Sequence, residues 1–137
     1  MVKVIAGKQG AGKTKQIIEL VHQVVEKEKG LAVCIENGQK LRFDINHEAR
    51  LVDISAYPVK SYEALLGFLG GLYAANFDIT HIFIDSLYKV AGSNDVEAAT
   101  AFLKNLDAYS AVNDVDFTIA VSIEQSDAPE DMRKFFC

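Results

Sequence analysis

The residues with the clearest chemistry lie at positions 7–14, where the sequence reads Gly-Lys-Gln-Gly-Ala-Gly-Lys-Thr. This segment matches the pattern G-x-x-x-x-G-K-[ST] at every fixed position, and that pattern cradles phosphate groups. Its glycines let backbone N–H groups approach a phosphate closely, at the positive end of the helix that follows. Lys13 supplies a mobile charge for the outer phosphates, and the Thr14 hydroxyl suits Mg²⁺. The predicted ligand contacts are Gly7, Lys8, Gln9, Gly10, Ala11, Gly12, Lys13, Thr14 and Lys15.

The sequence on either side of this glycine-rich loop (residues 7–14) has the organisation that phosphate binding requires. Residues 2–6 form a β-branched run typical of a buried strand, and apolar residues recur at helical spacing from Thr14 onward. Charged residues 26–29 are expected to form the last helical turn, with Gly30 as its C-cap. Lys13 is expected to be exposed and to contribute little to core packing. The simpler alternative is an ordinary glycine-rich turn between a strand and a helix.

The composition indicates one globular domain that lacks the positive charge typical of nucleic-acid-binding proteins. The 137 residues are 50% hydrophobic and 24% charged, with a formal net charge of −5 and no run of Lys or Arg. Nucleic-acid binding draws on dense cationic contacts, so nucleic acid is an unlikely main partner. The two cysteines form neither a disulfide framework nor a metal set. The longest apolar stretch, residues 64–75, is shorter than the roughly 20 residues of a membrane span, and a strand starting at residue 2 leaves no room for a signal peptide. We therefore expect a cytoplasmic protein.

Strands and helices alternate along the chain. The Asn-Gly turn at residues 37–38 predicts a hairpin that returns as a strand over residues 39–45. The alternation predicts a single domain over residues 1–137, with a three-layer α/β fold, a mostly parallel sheet and helices on both faces. Further strands are predicted over residues 31–35, 51–55, 80–85 and 117–123, and helices over residues 61–75, 94–111 and 129–136.

Two of the predicted helices carry sequence features of their own. Ser61 is a candidate N-cap of the first, and either Ser93 or Asn94 of the second. Gly67 and Gly71 form a small-xxx-small pair on the first helix. We expect this pair to pack tightly on the sheet; the alternative is a close contact with another helix, in this chain or in another subunit.

Asp85 follows an apolar strand, at the edge where parallel sheets bind ligands. The carboxyl ends of parallel strands border the crevice used by α/β folds, so Asp85 is predicted to hold Mg²⁺ together with Thr14. The alternative is an aspartate that simply ends a strand.

Three features resemble the RecA-like ATPases, a branch of the P-loop NTPases. The pair Asp85-Ser86 is similar to the Asp-Ser pair at their metal-binding strand. Gln125 follows the last predicted strand, where RecA-like proteins carry a polar sensor of the γ-phosphate. Glu36 closes the second strand, where they carry a catalytic glutamate. The resemblance implies that strand 117–123 lies between strands 2–6 and 80–85.

The chain also departs from many P-loop ATPases. Ser86 stands after Asp85, where those enzymes place a glutamate that acts as general base. Glu36 must then serve, or Glu124, or a partner residue, or hydrolysis is slow. Arg133 could supply an arginine finger to a neighbouring molecule, although a surface role is the simpler interpretation.

These features predict an ATP-binding protein, with Mg²⁺ as cofactor and slow hydrolysis as its reaction. Lys13, Glu36 and Gln125 are the predicted catalytic residues. The absence of an N-K-x-D motif mildly favours ATP over GTP. One alternative is a kinase of a nucleoside or metabolite, with residues 36–60 as its only sizeable insertion. The other is a nucleotide switch or partner-binding subunit without turnover, and a homo-oligomer or a protein partner is possible in each case.

Overall fold

The computed structural model describes residues 1–27 and 30–137 and folds them into a five-stranded sheet with helices on both faces. No helix of these described residues combines the length and apolar character needed to cross a membrane. In chain order the elements are β1 (Val2–Gly7), α1 (Lys13–Lys27), β2 (Leu31–Glu36), β3 (Arg50–Asp53), α2 (Tyr62–Ala75), β4 (Ile79–Ile84), α3 (Leu87–Ala91), α4 (Val96–Asn113), β5 (Asp116–Ser122) and α5 (Glu130–Arg133).

All strand pairs of the sheet are parallel, in the order β1-β5-β4-β2-β3. Strand β5 lies between β1 and β4, pairing Ile119 with Val4 on one side and with Ile84 on the other. The predicted insertion of the last strand between the first strand and the Asp85 strand is therefore confirmed. Because parallel strands end at the same edge, the loops after β1, β5, β4 and β2 meet at one border of the sheet.

Side chains alternate along each strand into two separate cores. Val33 and Ile35 of β2, with Phe117, Ile119 and Val121 of β5, face a large core that they share with α2, α3 and α4. Cys34 and Phe83 face a smaller core that contains Ile17 and Val21 of α1. Buried parallel strands of this kind are nearly continuously apolar because both faces are covered. This arrangement confirms the predicted α/β sheet flanked by helices, and Cys34 is the small buried hydrophobe that its context indicates.

The predicted hairpin strand over residues 39–45 is wrong. Both edges of β2 are occupied by parallel neighbours, β3 and β4, so no edge remains for a returning antiparallel strand. Residues 39–45 instead form successive turns, in which Ile45 N–H donates to the Leu41 carbonyl at 3.0 Å. The side chains of Leu41 and Ile45 are buried in the smaller core, and His22 of α1 accepts a hydrogen bond from the Asn46 N–H at 3.2 Å. The segment is thus attached to the body of α1.

Helix boundaries agree with the predictions to within a few residues. Ser61 caps α2 by accepting a hydrogen bond from the Ala64 N–H at 3.0 Å, as predicted. The N-cap of α4 is Asp95 rather than Ser93 or Asn94, because its carboxylate accepts the N–H groups of Glu97 and Ala98. The short helix α3 is an unpredicted element. The charged turn predicted over residues 26–29 extends into residues 28–29, which lie outside the described residues.

The glycines of α2 do not pack tightly on the sheet, contrary to the prediction. A β-carbon built on Gly67 or Gly71 meets no atom within 4 Å, and both residues are exposed. The fold of this chain therefore does not require glycine at either position.

Replacement of Gly67 by alanine should stabilise the protein by about 0.5–1 kcal/mol, because alanine loses less backbone entropy in a helix and has room here. Thermal unfolding of Gly67→Ala checks this. Gly30→Ala is the matched control of opposite sign, since its new β-carbon would lie 2.3 Å from a Thr80 methyl carbon. A loss of stability in Gly67→Ala would mean that another surface covers α2.

Candidate functional site

The glycine-rich loop joins β1 to α1 and leaves open space above its backbone. Gly10 and Gly12 have φ angles of 88° and 85°, a region that residues with side chains rarely adopt. A β-carbon built on either glycine meets no atom within 4 Å. The backbone here is therefore accessible to a ligand from the outside.

Several N–H groups of this loop have no acceptor among the described residues. Ala11 N–H donates to the Lys8 carbonyl at 3.1 Å, and Gln16 N–H to the Gly12 carbonyl at 3.2 Å. Within the described residues, the N–H groups of Gly12, Lys13 and Thr14 donate to none. They lie at the start of a 15-residue helix, where unpaired N–H groups and the helix dipole favour an anion.

Lys13 is buried, not exposed as expected, with 8% of its surface accessible. Its ammonium group donates to the Lys8 carbonyl at 2.8 Å, across the loop. Burial lowers the pKa of Lys13, and the nearby Asp85 carboxylate opposes that shift. A partly desolvated ammonium held inside this loop is suited to contact an anionic oxygen such as that of a phosphate.

Asp85 and Thr14 face each other across the crevice between β4 and α1. The Thr14 hydroxyl lies 3.3 Å and 3.2 Å from the two carboxylate oxygens of Asp85. The Asp85 N–H donates to the Ile35 carbonyl at 2.9 Å, which extends the β4 ladder by one residue. Ser86 then takes a left-handed conformation, with φ 68° and ψ 71°. This uncommon backbone turns the chain into α3 directly behind the carboxylate.

The oxygens of Thr14 and Asp85 form a donor set for a hard divalent cation. Mg²⁺ prefers oxygen ligands and is usually held by one or two protein groups, waters and substrate phosphates. Within the described residues, no group of three or more His, Cys, Asp or Glu residues could hold a metal by itself. A cation at this position would therefore depend on a phosphate-bearing ligand for part of its shell.

Glu36 ends β2 at the same border of the sheet and is 3% exposed. Both of its carboxylate oxygens accept backbone N–H groups, one from Lys40 at 3.2 Å and one from Leu41 at 2.9 Å. Burial raises the pKa of Glu36, these two hydrogen bonds oppose the shift, and the Asp85 charge adds to it. The carboxylate predicted as a base thus also anchors the turn that follows it.

These groups border one cavity of about 400 Å³ at the carboxyl edge of the sheet. Its ionisable side chains are three lysines and two carboxylates, which leaves a formal charge of +1. Of the described residues that line it, none is arginine. The lining consists of Gln9, Gly10, Gly12, Lys13, Thr14, Glu36, Asn37, Lys40, Leu41, Asp85, Ser86, Lys89 and Ser122.

The other predicted site residues do not line the cavity. Gln125 belongs to an exposed turn beyond β5. Ser122, the last residue of β5, lines the cavity instead. Glu124 lies 3.5 Å from the Lys8 ammonium in an exposed ion pair. Arg133 is exposed in α5. Four further predicted contacts, Gly7, Lys8, Ala11 and Lys15, belong to the glycine-rich loop or the start of α1 without lining the cavity.

Lys40, Lys89 and Asn37 are site residues that could not be identified from the sequence. Lys40 and Lys89 have no distinctive sequence context, and only the fold brings these two exposed lysines to the cavity. Their common signal, position shortly after the end of a parallel strand, is weak without knowledge of the strand order.

No family model matches this sequence, and a search of the curated proteins finds no match. The function must therefore be inferred from the residues of the cavity and from their geometry.

Burial of Asp85 has a measurable cost. Desolvation raises the pKa of its carboxyl above the ordinary value, although the Thr14 hydrogen bond and the charges of Lys13, Lys89 and Lys40 oppose that shift. A carboxyl whose pKa is raised by folding favours the folded state when it is protonated. Its ionised form therefore reduces stability as the pH rises through that pKa.

Asp85→Asn should raise the melting temperature of the ligand-free protein at pH 7, since it removes a desolvated charge and keeps the shape. The gain should shrink as the pH falls and the wild-type carboxyl becomes protonated. Melting curves from pH 4, close to the ordinary pKa of an aspartate carboxyl, up to pH 8 check both statements. A gain that is constant across this range would contradict the electrostatic explanation.

Proposed function

We propose that the protein binds ATP with Mg²⁺ in the 400 Å³ cavity and hydrolyses it slowly. The observation that carries this proposal is the coincidence of unpaired N–H groups, a buried lysine and a Thr–Asp oxygen pair around one open loop. Each feature alone is common in proteins. Together they match the requirements of a triphosphate with its cation.

Each residue then has a distinct task. The N–H groups of Gly12, Lys13 and Thr14 bind the phosphate oxygens, and the Lys13 ammonium exchanges the Lys8 carbonyl for a phosphate. Thr14 and Asp85 hold the cation, which when bound neutralises charge on the outer phosphates. Ionic contacts with a ligand would offset the desolvation of Lys13 and Asp85, whose pKa values burial shifts in opposite directions.

The strand order supports an ATPase over a kinase of small molecules. Direct pairing of β1 with β4 would have favoured the kinase alternative, but β5 separates them. The cavity also lacks arginine among its described lining residues, whereas a phosphoryl acceptor site usually carries an arginine-bearing lid.

We expect turnover to be slow because the carboxylates of Asp85 and Glu36 already accept hydrogen bonds within the protein. Asp85 is hydrogen-bonded to Thr14, and both oxygens of Glu36 hold backbone N–H groups. A general base must have an oxygen within hydrogen-bond reach of the attacking water. Because both oxygens of Glu36 already accept hydrogen bonds, the second candidate, a nucleotide switch that binds without turnover, is also favoured.

Lys13→Ala should reduce MgATP affinity at least about a hundredfold, because it removes a charged contact inside a desolvated site. Isothermal titration calorimetry on a variant with native circular dichroism measures the loss. Since Lys13 is buried, Lys13→Met serves as the control that keeps the apolar stem and removes only the charge. Unchanged ATP affinity in both folded variants would exclude the proposed site.

Asp85→Asn should weaken nucleotide binding in the presence of Mg²⁺ and have little effect in EDTA. The substitution keeps size and one oxygen but removes the charge that faces the cation. Titrations of ATP with and without Mg²⁺ separate the two effects. Equal losses under both conditions would indicate a structural role for Asp85.

A further inference from the structure

The turn after β2 is held in place more firmly than an ordinary surface loop. Besides the two hydrogen bonds to Glu36, the Gly38 N–H donates to an Asp53 carboxylate oxygen at 2.8 Å. Leu41, at the end of this turn, is only 2% exposed. Successive residues of the turn are therefore fixed from β2, from β3 and from the core.

A further hydrogen bond joins this turn to the other side of the cavity. The Asn37 side chain donates to the Lys89 carbonyl at 3.2 Å, which links the turn to α3 behind Asp85. Residues 37–41 thus form a wall of the cavity opposite the glycine-rich loop. We call them the β2 turn.

Lys40 is the basic residue of the β2 turn, and its ammonium group acts on the Asp85 carboxyl only through its charge. Its backbone N–H is held by Glu36, while its exposed side chain borders the cavity. Within residues 1–27 and 30–137, the ammonium group forms neither an ion pair nor a hydrogen bond. Such an anchored backbone with a free cationic end is suited to reach an anion in the cavity.

We propose that Lys40 contacts the terminal phosphate of bound ATP, and that Glu36 is the positioning residue which holds Lys40 there through the β2 turn. This inference rests on the proposed function. Lys40 then supplies in the same chain the positive charge that an arginine finger supplies in other nucleotide-hydrolysing proteins. It approaches from the side opposite Lys13, so the two lysines flank the outer phosphates.

Lys89 also borders the cavity, and its ammonium group forms no hydrogen bond or ion pair with the described part of the chain, which makes it the natural comparator. It follows Asp85 by one helical turn and affects the Asp85 carboxyl more strongly than Lys40 does. It therefore lies on the side where the cation is expected, and a divalent ion there would repel it. Lys40 lies on the Glu36 side and affects Asp85 less than Lys89 does, so this repulsion is weaker there.

The test compares MgATP with MgADP, since only the former carries the terminal phosphate. Isothermal titration calorimetry gives the ratio of the two affinities for wild type, Lys40→Met, Lys89→Met, Glu36→Gln and the double variant of positions 36 and 40. Lys60→Met, an exposed lysine outside the cavity, is the matched control. Circular dichroism confirms the fold of each variant, and Lys40→Met keeps the test valid if Glu36→Gln is unstable.

We expect Lys40→Met to lower the ATP-over-ADP ratio about tenfold, the scale of one charge-assisted contact, with Lys60→Met unchanged. Glu36→Gln should lower the ratio several-fold, because the Gln amide nitrogen cannot accept a backbone N–H. In the Lys40→Met background it should have no further effect on the ratio. This non-additive result would support a positioning role for Glu36.

The inference would be overturned by an unchanged ratio in Lys40→Met, by a loss confined to Lys89→Met, or by full additivity of the changes at positions 36 and 40. An effect of Glu36→Gln on turnover alone, with the affinity ratio preserved, would also overturn it and would favour the general-base role. Failure of the proposed function differs from all of these, since wild type itself would then bind no MgATP.

Discussion

The parallel pairing of β5 with both β1 and β4 is the constraint on which the candidate site depends. It separates the glycine-rich loop from Asp85 by one strand, and the Thr14 hydroxyl and the Asp85 carboxylate then meet at 3.2–3.3 Å. With β1 directly beside β4, the crevice between the two loops would be narrower by a strand spacing of about 4.8 Å. Ser122, at the end of the intervening strand, fills part of the floor that this spacing creates.

Local sequence signals predicted the parts of the structure that local physics determines. The glycine-rich loop, the Ser61 cap and the apolar strands each depend on residues close together in the chain, and each was found as predicted. The hairpin over residues 39–45 failed because its outcome depended on competition for the edges of β2. Strands β3 and β4, from distant parts of the chain, occupy those edges. An Asn-Gly pair favours a turn but does not determine which strand pairs with the one before it.

The same distinction explains which site residues could be found from the sequence. Asp85 and Glu36 could be identified from the sequence because a carboxylate at the end of an apolar strand is a recognisable signal. Lys40 and Lys89 carry no such signal, since exposed lysines are common and their roles depend on where the turn and α3 lie. The burial of Lys13 was also not predicted. Side chains at the start of a helix are usually exposed, but the start of α1 faces the edge of the sheet.

Glu36 illustrates how one carboxylate can belong to both structure and site. Its burial has a desolvation cost, which the two N–H groups of the β2 turn partly offset. The same bonds restrict the carboxylate, since an oxygen that accepts a backbone N–H is less available to take a proton from water. An anchor for the β2 turn needs a carboxylate that is held in place, whereas a general base needs one that can bind and release a proton. The observed hydrogen bonds satisfy the first requirement directly, and a basic role would require the β2 turn to loosen when nucleotide binds.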